Sequence, residues 1–304
     1  MEETIYKRFC EILGRSYVLV DELMKKHTSF RIGGPADYFI YPDSKQQLCQ
    51  ALALCQEKSL SWFIMGNGSN LLVSDHGYRG VIIQIFKNFQ KVMIDGKRIT
   101  AEAGILLSHL ASMACENCLT GLEFSSGIPG TLGGAVVMNA GAYGGEMKDV
   151  LSGVTVLDQE GVAHHLSAEE LEMGYRTSNL LKQRDWIVVE AELLLDYGEQ
   201  EKIRRRMGKL KETRCAKQPL EFPSAGSIFK HPKGHFVGKL IMEAGLQGVR
   251  VGGAMVSEKH FGFVINVSDA TAYDVMKLIK LIQETVWVKF RLRLEPEVEF
   301  LGEF

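Results

Sequence analysis

The chain has 304 residues, which suits two or three compact units, and its 46% hydrophobic and 24% charged content is that of an ordinary globular protein. A formal net charge of -2 argues against a general nucleic-acid binder, which carries a basic excess. Six cysteines in this length make no disulfide framework, and no uncharged apolar run is long enough to span a bilayer, so no membrane insertion is expected.

The first residues, MEETIYKRFCEILG, show no basic leader before an apolar core, so no secretory signal and a cytoplasmic location are expected. Residues 1–27 read as helical. Gly33-Gly34-Pro35 reads as a turn, and Tyr38 to Tyr41 as a strand closed by Pro42. Ser44 opens a capping-box pattern, and the helix after it places Leu48, Ala51, Leu52 and Cys55 on one face. In WFIMGNGSNLLVSD, apolar runs at Trp62–Met65 and Leu71–Val73 flank a polar glycine loop. No GK[ST] follows, and no GxGxxG opens a helix, so neither a Walker motif nor a dinucleotide fingerprint is present. The loop is either a plain hairpin turn or a ligand loop. Val81–Phe86 reads as a strand, and VMIDGKRITAEAG as a hairpin turning at Asp95-Gly96. A helix over 106–117 ends at a CxxC, Cys115 and Cys118, with no second pair to complete a zinc site; both are expected to be ordinary thiols.

Phe124 to Met147 then reads FSSGIPGTLGGAVVMNAGAYGGEM, with seven of the chain's 31 glycines. Glycine is costly unless the backbone visits φ > 0 or something approaches closely. One reading is a loop whose N–H groups face a phosphate or pyrophosphate; the other is a buried loop packed on a sheet. Two such loops in one chain favour the ligand. VTVLDQEGVAHHL reads as a second hairpin, SAEELEM as a short helix capped by Ser167, and Tyr175-Arg176-Thr177-Ser178 as a loop. Trp186–Leu195 is apolar enough for a buried strand. A basic helix follows from near Gly198, with a domain boundary at 198–203. It is either a solvated face or the neighbour of a nucleotide. SAGSIFKHPKGHF holds a small-residue turn, Phe261–Val267 an apolar strand, and Ala270 to Lys289 a helix. Near the end, Val298 and Phe300 alternate with Glu297 and Glu299 as in a half-buried strand. No HExxH or GxSxG occurs, so no metal site and no triad hydrolase are expected. The residues alone point to a cofactor region followed by a substrate region, and they do not choose the cofactor.

Seven blocks in order, HTSFRIGGPAD, GNGSNLLVSD, SSGIPGTLGGAVVMNAGAYGGE, GYRTS, PSAGSIFKHP, VGGAMVSEKHFGFVIN and LEPEVEFLG, resemble the UDP-N-acetylenolpyruvoylglucosamine reductase family in its shorter branch. The resemblance implies an α+β fold with an FAD-binding domain of the vanillyl-alcohol-oxidase (PCMH) type in two subdomains, 1–88 and 89–200, plus a smaller α+β substrate-binding domain, 201–304. FAD is implied as a non-covalent cofactor, since no histidine matches a covalent attachment. Its contacts are expected at Gly66, Asn67, Gly68, Ser69, Asn70 and Leu71, then at Gly127, Ile128, Pro129, Gly130, Thr131, Gly133, Gly134, Asn139 and Gly141. NADPH is the implied reductant and UDP-N-acetylglucosamine enolpyruvate the implied substrate.

The resemblance also carries three catalytic positions. Arg176 is to hold the substrate carboxylate and neutralise the enolate, a task for a fixed guanidinium fork. Ser227 is to protonate the enolate carbon, which demands close placement of a weak acid. Glu297 is to assist as a proton or hydrogen-bond donor, with Glu299 the competing candidate two residues on. Tyr175, Arg214, Lys217, Lys230 and Asn266 are expected substrate contacts. Two alternatives stand beside this: an oxidase of the same fold that uses molecular oxygen, and a nucleotide-sensing module that kept the fold without turnover.

Overall fold

The computed structural model describes residues 2–183 and 185–304. The chain forms two compact units, each assembled from separate stretches: residues 1–20, 38–67 and 80–214 make the first, and 21–37, 68–79 and 215–304 the second. The expected boundaries at 88/89 and 200/201 both fall inside the first unit.

The first unit is organised on an antiparallel five-stranded sheet in the order Ala163–Ser167, Leu151–Leu157, Ile187–Leu194, Arg98–Glu102, Val92–Asp95. Ile187–Leu194 is the middle strand, and its Ile187, Val188, Val189, Ala191 and Leu193 are all buried. The face of Ile187, Val189, Ala191 and Leu193 is covered throughout, while on the other Val188 is buried, Glu190 and Glu192 are half-buried and Leu194 is exposed. The helix Lys45–Glu57 buries Leu48, Ala51, Leu52 and Cys55 in the same core as Ile99, Val154 and Val189. Ser44 caps it as expected, its hydroxyl accepting from Gln47 N–H at 3.3 Å, but the Gln47 carboxamide accepts from Asp43 N–H at 2.9 Å rather than from Ser44, so the capping box is only half formed.

Three expectations are corrected and one alternative is excluded. Residues 1–27 are not one helix. The helix Glu2–Leu13 stops before Gly14, whose φ is +86°, and Val18–Leu23 is a strand in a four-stranded sheet. SAEELEM forms only turns. Its capping contacts exist, Ser167 N–H to the Glu170 carboxylate and Glu170 N–H to the Ser167 hydroxyl, but Glu172 turns left-handed at φ +46°. The carbonyls of Glu170 and Leu171 are then taken by the side chain and N–H of Asn179, so a second helical turn has no acceptors. The first hairpin turns one residue later than expected, at Gly96-Lys97, because Asp95 pairs with Arg98. Finally, Trp62–Met65 and Leu71–Val73 are not a hairpin. The former runs parallel to Val81–Gln84 and the latter parallel to Glu299–Leu301.

The second unit holds a three-stranded meander, Arg250–Val251, Ala254–Val256 and Val264–Asn266, with the helices Val237–Glu243 and Ala272–Phe290. The long helix buries Val275, Leu278, Ile279, Ile282 and Val286 against Val256, Val264 and Phe229. Its start is fixed twice. Thr271 and Asp274 form a reciprocal capping box, and the Asp75 carboxylate accepts from Ala272 N–H at 2.8 Å and Tyr273 N–H at 3.0 Å. Asp75 closes the motif GNGSNLLVSD, so that segment anchors a helix remote in sequence.

Candidate active site

In the first unit, the loop at Gly66-Asn67 meets the loop at Gly127–Thr131. The Asn67 carboxamide donates to Pro129 C=O at 2.6 Å, and Gln84 Nε2 holds Gly66 C=O at 3.0 Å. A Cβ on Gly66 would lie 2.3 Å from Thr131 Oγ1, and Thr131 is buried, so the approach requires glycine. Leu107 N–H bonds to Gly130 C=O at 3.1 Å, and Leu132 and Gly133 N–H bond to Ile105 and Ala103 C=O at 2.9 and 2.8 Å. These contacts brace the loop from behind. Gly134 is different: it is exposed, and a Cβ there would meet only Thr131 Oγ1 at 3.6 Å. Nothing among the described residues demands glycine at 134, which leaves bare backbone open to a ligand. On this observation the loops suit an anionic, flat cofactor of the flavin-nucleotide kind. Arg214 lies along the same loop, since a Cβ on Gly127 would sit 3.0 Å from Arg214 Cδ.

Asn139, expected among the cofactor contacts, is a clamp. It is wholly buried with φ +42°, and its Nδ2 donates to Glu146 Oε2 at 2.9 Å and to Gly174 C=O at 2.8 Å, while Oδ1 accepts from Lys148 N–H at 3.0 Å. Its reach to Gly174 C=O fixes the turn that carries Arg176. Gly174 and Thr177 pair across that turn, and the Ser178 hydroxyl donates to Val137 C=O at 2.7 Å. Arg176 itself sits at φ +53°, with a guanidinium nitrogen donating to Gly141 C=O at 2.7 Å and its head 5.2 Å from the centre of the Tyr175 ring. A non-glycine residue in this region costs about 1–2 kcal/mol, which the three anchors offset. Outliers of this kind gather at functional sites.

In the second unit, Ser227 and Glu297 belong to one ladder. Ser227 pairs with Phe263 and Phe229 with Pro296. Ile228 N–H donates to Gly262 C=O, and Ile228 C=O accepts from Glu297 N–H, both at 2.9 Å. The Asn70 carboxamide donates to Glu297 C=O at 3.1 Å, and Asn70 C=O accepts from Glu299 N–H at 2.9 Å. One asparagine of the first glycine loop thus fixes the backbone on both sides of Val298. Lys230, expected on substrate, pairs with Glu295 at 2.7 Å. Asn266 is buried; it donates to Phe30 C=O at 3.2 Å and accepts from Ala270 N–H at 2.9 Å, so its side chain holds the fold. Lys217 is exposed near the end of its helix. His231 and His260 stand in PSAGSIFKHP and VGGAMVSEKHFGFVIN, where no local motif marks either of them. His260 packs on Phe263 at 4.7 Å between ring centres. Burial first, then the neighbouring His231 and Lys217, holds its imidazole below the ordinary value of 6.5.

Cys115 is buried, donates to Gln200 C=O at 3.8 Å, and has its thiol pushed up mainly by burial. No group of three metal-binding side chains occurs among the described residues, and no helix among them is long and apolar enough to cross a membrane.

Known proteins match this arrangement along its length. An FAD binding domain model matches residues 36–167, and residues 218–301 match the C-terminal domain of UDP-N-acetylenolpyruvoylglucosamine reductase. With the glycine loops above, this defines an FAD-dependent oxidoreductase. The chain is 51% identical to the UDP-N-acetylenolpyruvoylglucosamine reductase of Alkaliphilus oremlandii over 98% of each chain. It is 48% identical to that of Caldanaerobacter subterraneus subsp. tengcongensis over 100% of each. The crystal structure of the Thermus caldophilus reductase superposes with a TM-score of 0.81 at 38% identity, covering 94% of this chain and 100% of that one. The chain belongs to the UDP-N-acetylenolpyruvoylglucosamine reductase family.

Proposed function

We propose that this chain reduces UDP-N-acetylglucosamine enolpyruvate to UDP-N-acetylmuramate with NADPH, a cytoplasmic step in making peptidoglycan precursors. The observation that carries the reading is Arg176: an arginine held in a left-handed turn by the very stretch that forms the cofactor loop. Non-covalently bound FAD supplies the hydride relay between NADPH and the enolpyruvyl double bond.

The protein's own groups do the rest. Hydride arriving at the methylene carbon leaves an electron pair on the neighbouring carbon, delocalised into the carboxylate. Arg176 offers a permanent cation to that carboxylate, and its charge counts most when the second negative charge develops. The Ser227 hydroxyl gives its proton to the carbon. Glu297, in its protonated form, donates a hydrogen bond to the forming enol oxygen. The Asn70 bond to Glu297 C=O and the Glu297–Ile228 bond keep this carboxyl in register with Ser227. Glu299, which opens the strand Glu299–Leu301 two residues on, is the competing candidate. Tyr175, Arg214 and Lys217 supply further substrate contacts.

The test is the flavin spectrum of the purified protein under anaerobic conditions. Bands that bleach with NADPH and return on adding UDP-N-acetylglucosamine enolpyruvate support the reading. A flavin that returns only with oxygen overturns it in favour of an oxidase, and bound flavin with no turnover favours the sensing module.

A further inference from the structure

Phe236 is 72% exposed, yet it is not a loose side chain. It ends a tight turn, closed by His235 N–H to Pro232 C=O at 2.9 Å, in which Gly234 takes φ +76°. Its ring meets the edge of His231 at 5.6 Å and 75° between planes. His231 is fixed in turn, because its Nδ1 accepts from Val237 N–H at 3.3 Å, which leaves the other ring nitrogen as the donor. A single exposed aromatic is ordinary. A rigid one, at the edge of a cluster of basic groups, is not.

The cluster leads back to the reacting serine. Ser227 pairs with Phe263, His260 lies on the Phe263 ring, and His231 and Lys217 are near enough to His260 to disfavour its protonation. His260 Nδ1 is shielded from solvent and has no hydrogen-bond partner among the described residues, as suits a neutral ring wedged in place. Through these contacts the second unit links a hydroxyl to two imidazoles and a lysine, and through His231 to an open aromatic face. A sugar nucleotide carries a reacting end, a diphosphate and a flat base in that same order. Resting on the function proposed above, we infer that Phe236 is the platform on which the uracil ring stacks, and so a specificity-determining residue for the nucleotide end of the substrate.

Base–aromatic stacks are worth about 1–3 kcal/mol each, which is about 5- to 150-fold in affinity. UDP is titrated by calorimetry into the FAD-loaded protein. Phe236→Ala and Phe236→Leu should each weaken UDP by about tenfold or more, and Phe236→Tyr should restore it. The KM for the sugar nucleotide should rise in parallel in Phe236→Ala and Phe236→Leu. Exposure of the side chain keeps folding out of the result. Wild-type UDP affinity in Phe236→Ala overturns the inference. So does full rescue by leucine, which would mean plain apolar contact, and so does a loss confined to NADPH. If the wild type binds UDP through Phe236 but never reoxidises with the enolpyruvyl substrate, the proposed reaction fails and the platform stands.

Discussion

At the scale of single residues, the site is a set of side chains whose neighbours matter as much as their own chemistry. Arg176→Lys keeps the charge but loses the planar fork and the bond to Gly141 C=O. Turnover should fall about a hundredfold or more with the fold intact, checked by steady-state rates beside circular dichroism; near-normal turnover removes Arg176 from the mechanism. His260 gives a pH signature. Its folded proton affinity is lowered, so the unfolded chain takes up a proton first as pH falls. Its stabilising contribution is therefore complete above the ordinary value of 6.5 and is lost as pH drops from there to the folded value. Melting temperatures from pH 8 to 5 should fall less steeply in His260→Phe than in the wild type; parallel curves would show that His260 does not titrate differently on folding. The two residues also mark what sequence can show. Arg176 stood in a recognisable GYRTS block. Its strained backbone did not, because the clamp, Asn139, is 35 positions from the Gly174 carbonyl it grips. Asn139 looked like a ligand for the same reason: an asparagine among glycines reads alike whether it faces a phosphate or a carbonyl.

At the scale of elements, legibility follows the range of the forces. The helix Lys45–Glu57 was readable because its cap and its buried face are local patterns. The strand Val18–Leu23 was not, because VLVDEL has a mixed burial pattern and owes its conformation to its place in the sheet. SAEELEM failed in the opposite way, since its local cap formed but Asn179, eight and nine residues beyond, took the Leu171 and Glu170 carbonyls. The parallel pairing of Leu71–Val73 with Glu299–Leu301 joins strands more than 200 residues apart and had no local trace. Here Asp75 is the element-scale test. Asp75→Asn keeps the shape but weakens a charge-assisted cap on two N–H groups. It should cost about 1 kcal/mol, read by urea unfolding; no change in midpoint would mean that the Thr271–Asp274 box suffices alone. Gly133→Ala is harsher. Its Cβ would fall 2.8 Å from Ala103 Cβ in the buried brace behind the cofactor loop, an overpacking cost of about 1–3 kcal/mol.

At the scale of the whole molecule, folding and cofactor binding are linked, and one glycine separates them. A ligand that binds only the folded chain stabilises it, by about 2.7 kcal/mol when present at a hundred times its Kd. FAD should therefore raise the melting temperature of the apoprotein in proportion to the logarithm of its concentration. Gly134 lies in the helix Leu132–Val137, and none of its own contacts demands glycine. Alanine is the better helix former by about 1 kcal/mol, so Gly134→Ala should melt at or above the wild-type temperature without FAD. If the bare backbone at 134 exists to let the cofactor approach, the added methyl group must weaken FAD, and the shift on adding FAD should shrink. The two effects have opposite signs, which no general destabilisation can imitate. Paired melts of apoprotein and FAD-loaded protein decide it. A smaller FAD shift on an equal or firmer apoprotein marks 134 as a contact, whereas an undiminished shift moves the cofactor away from that turn and leaves the glycine there unexplained by binding.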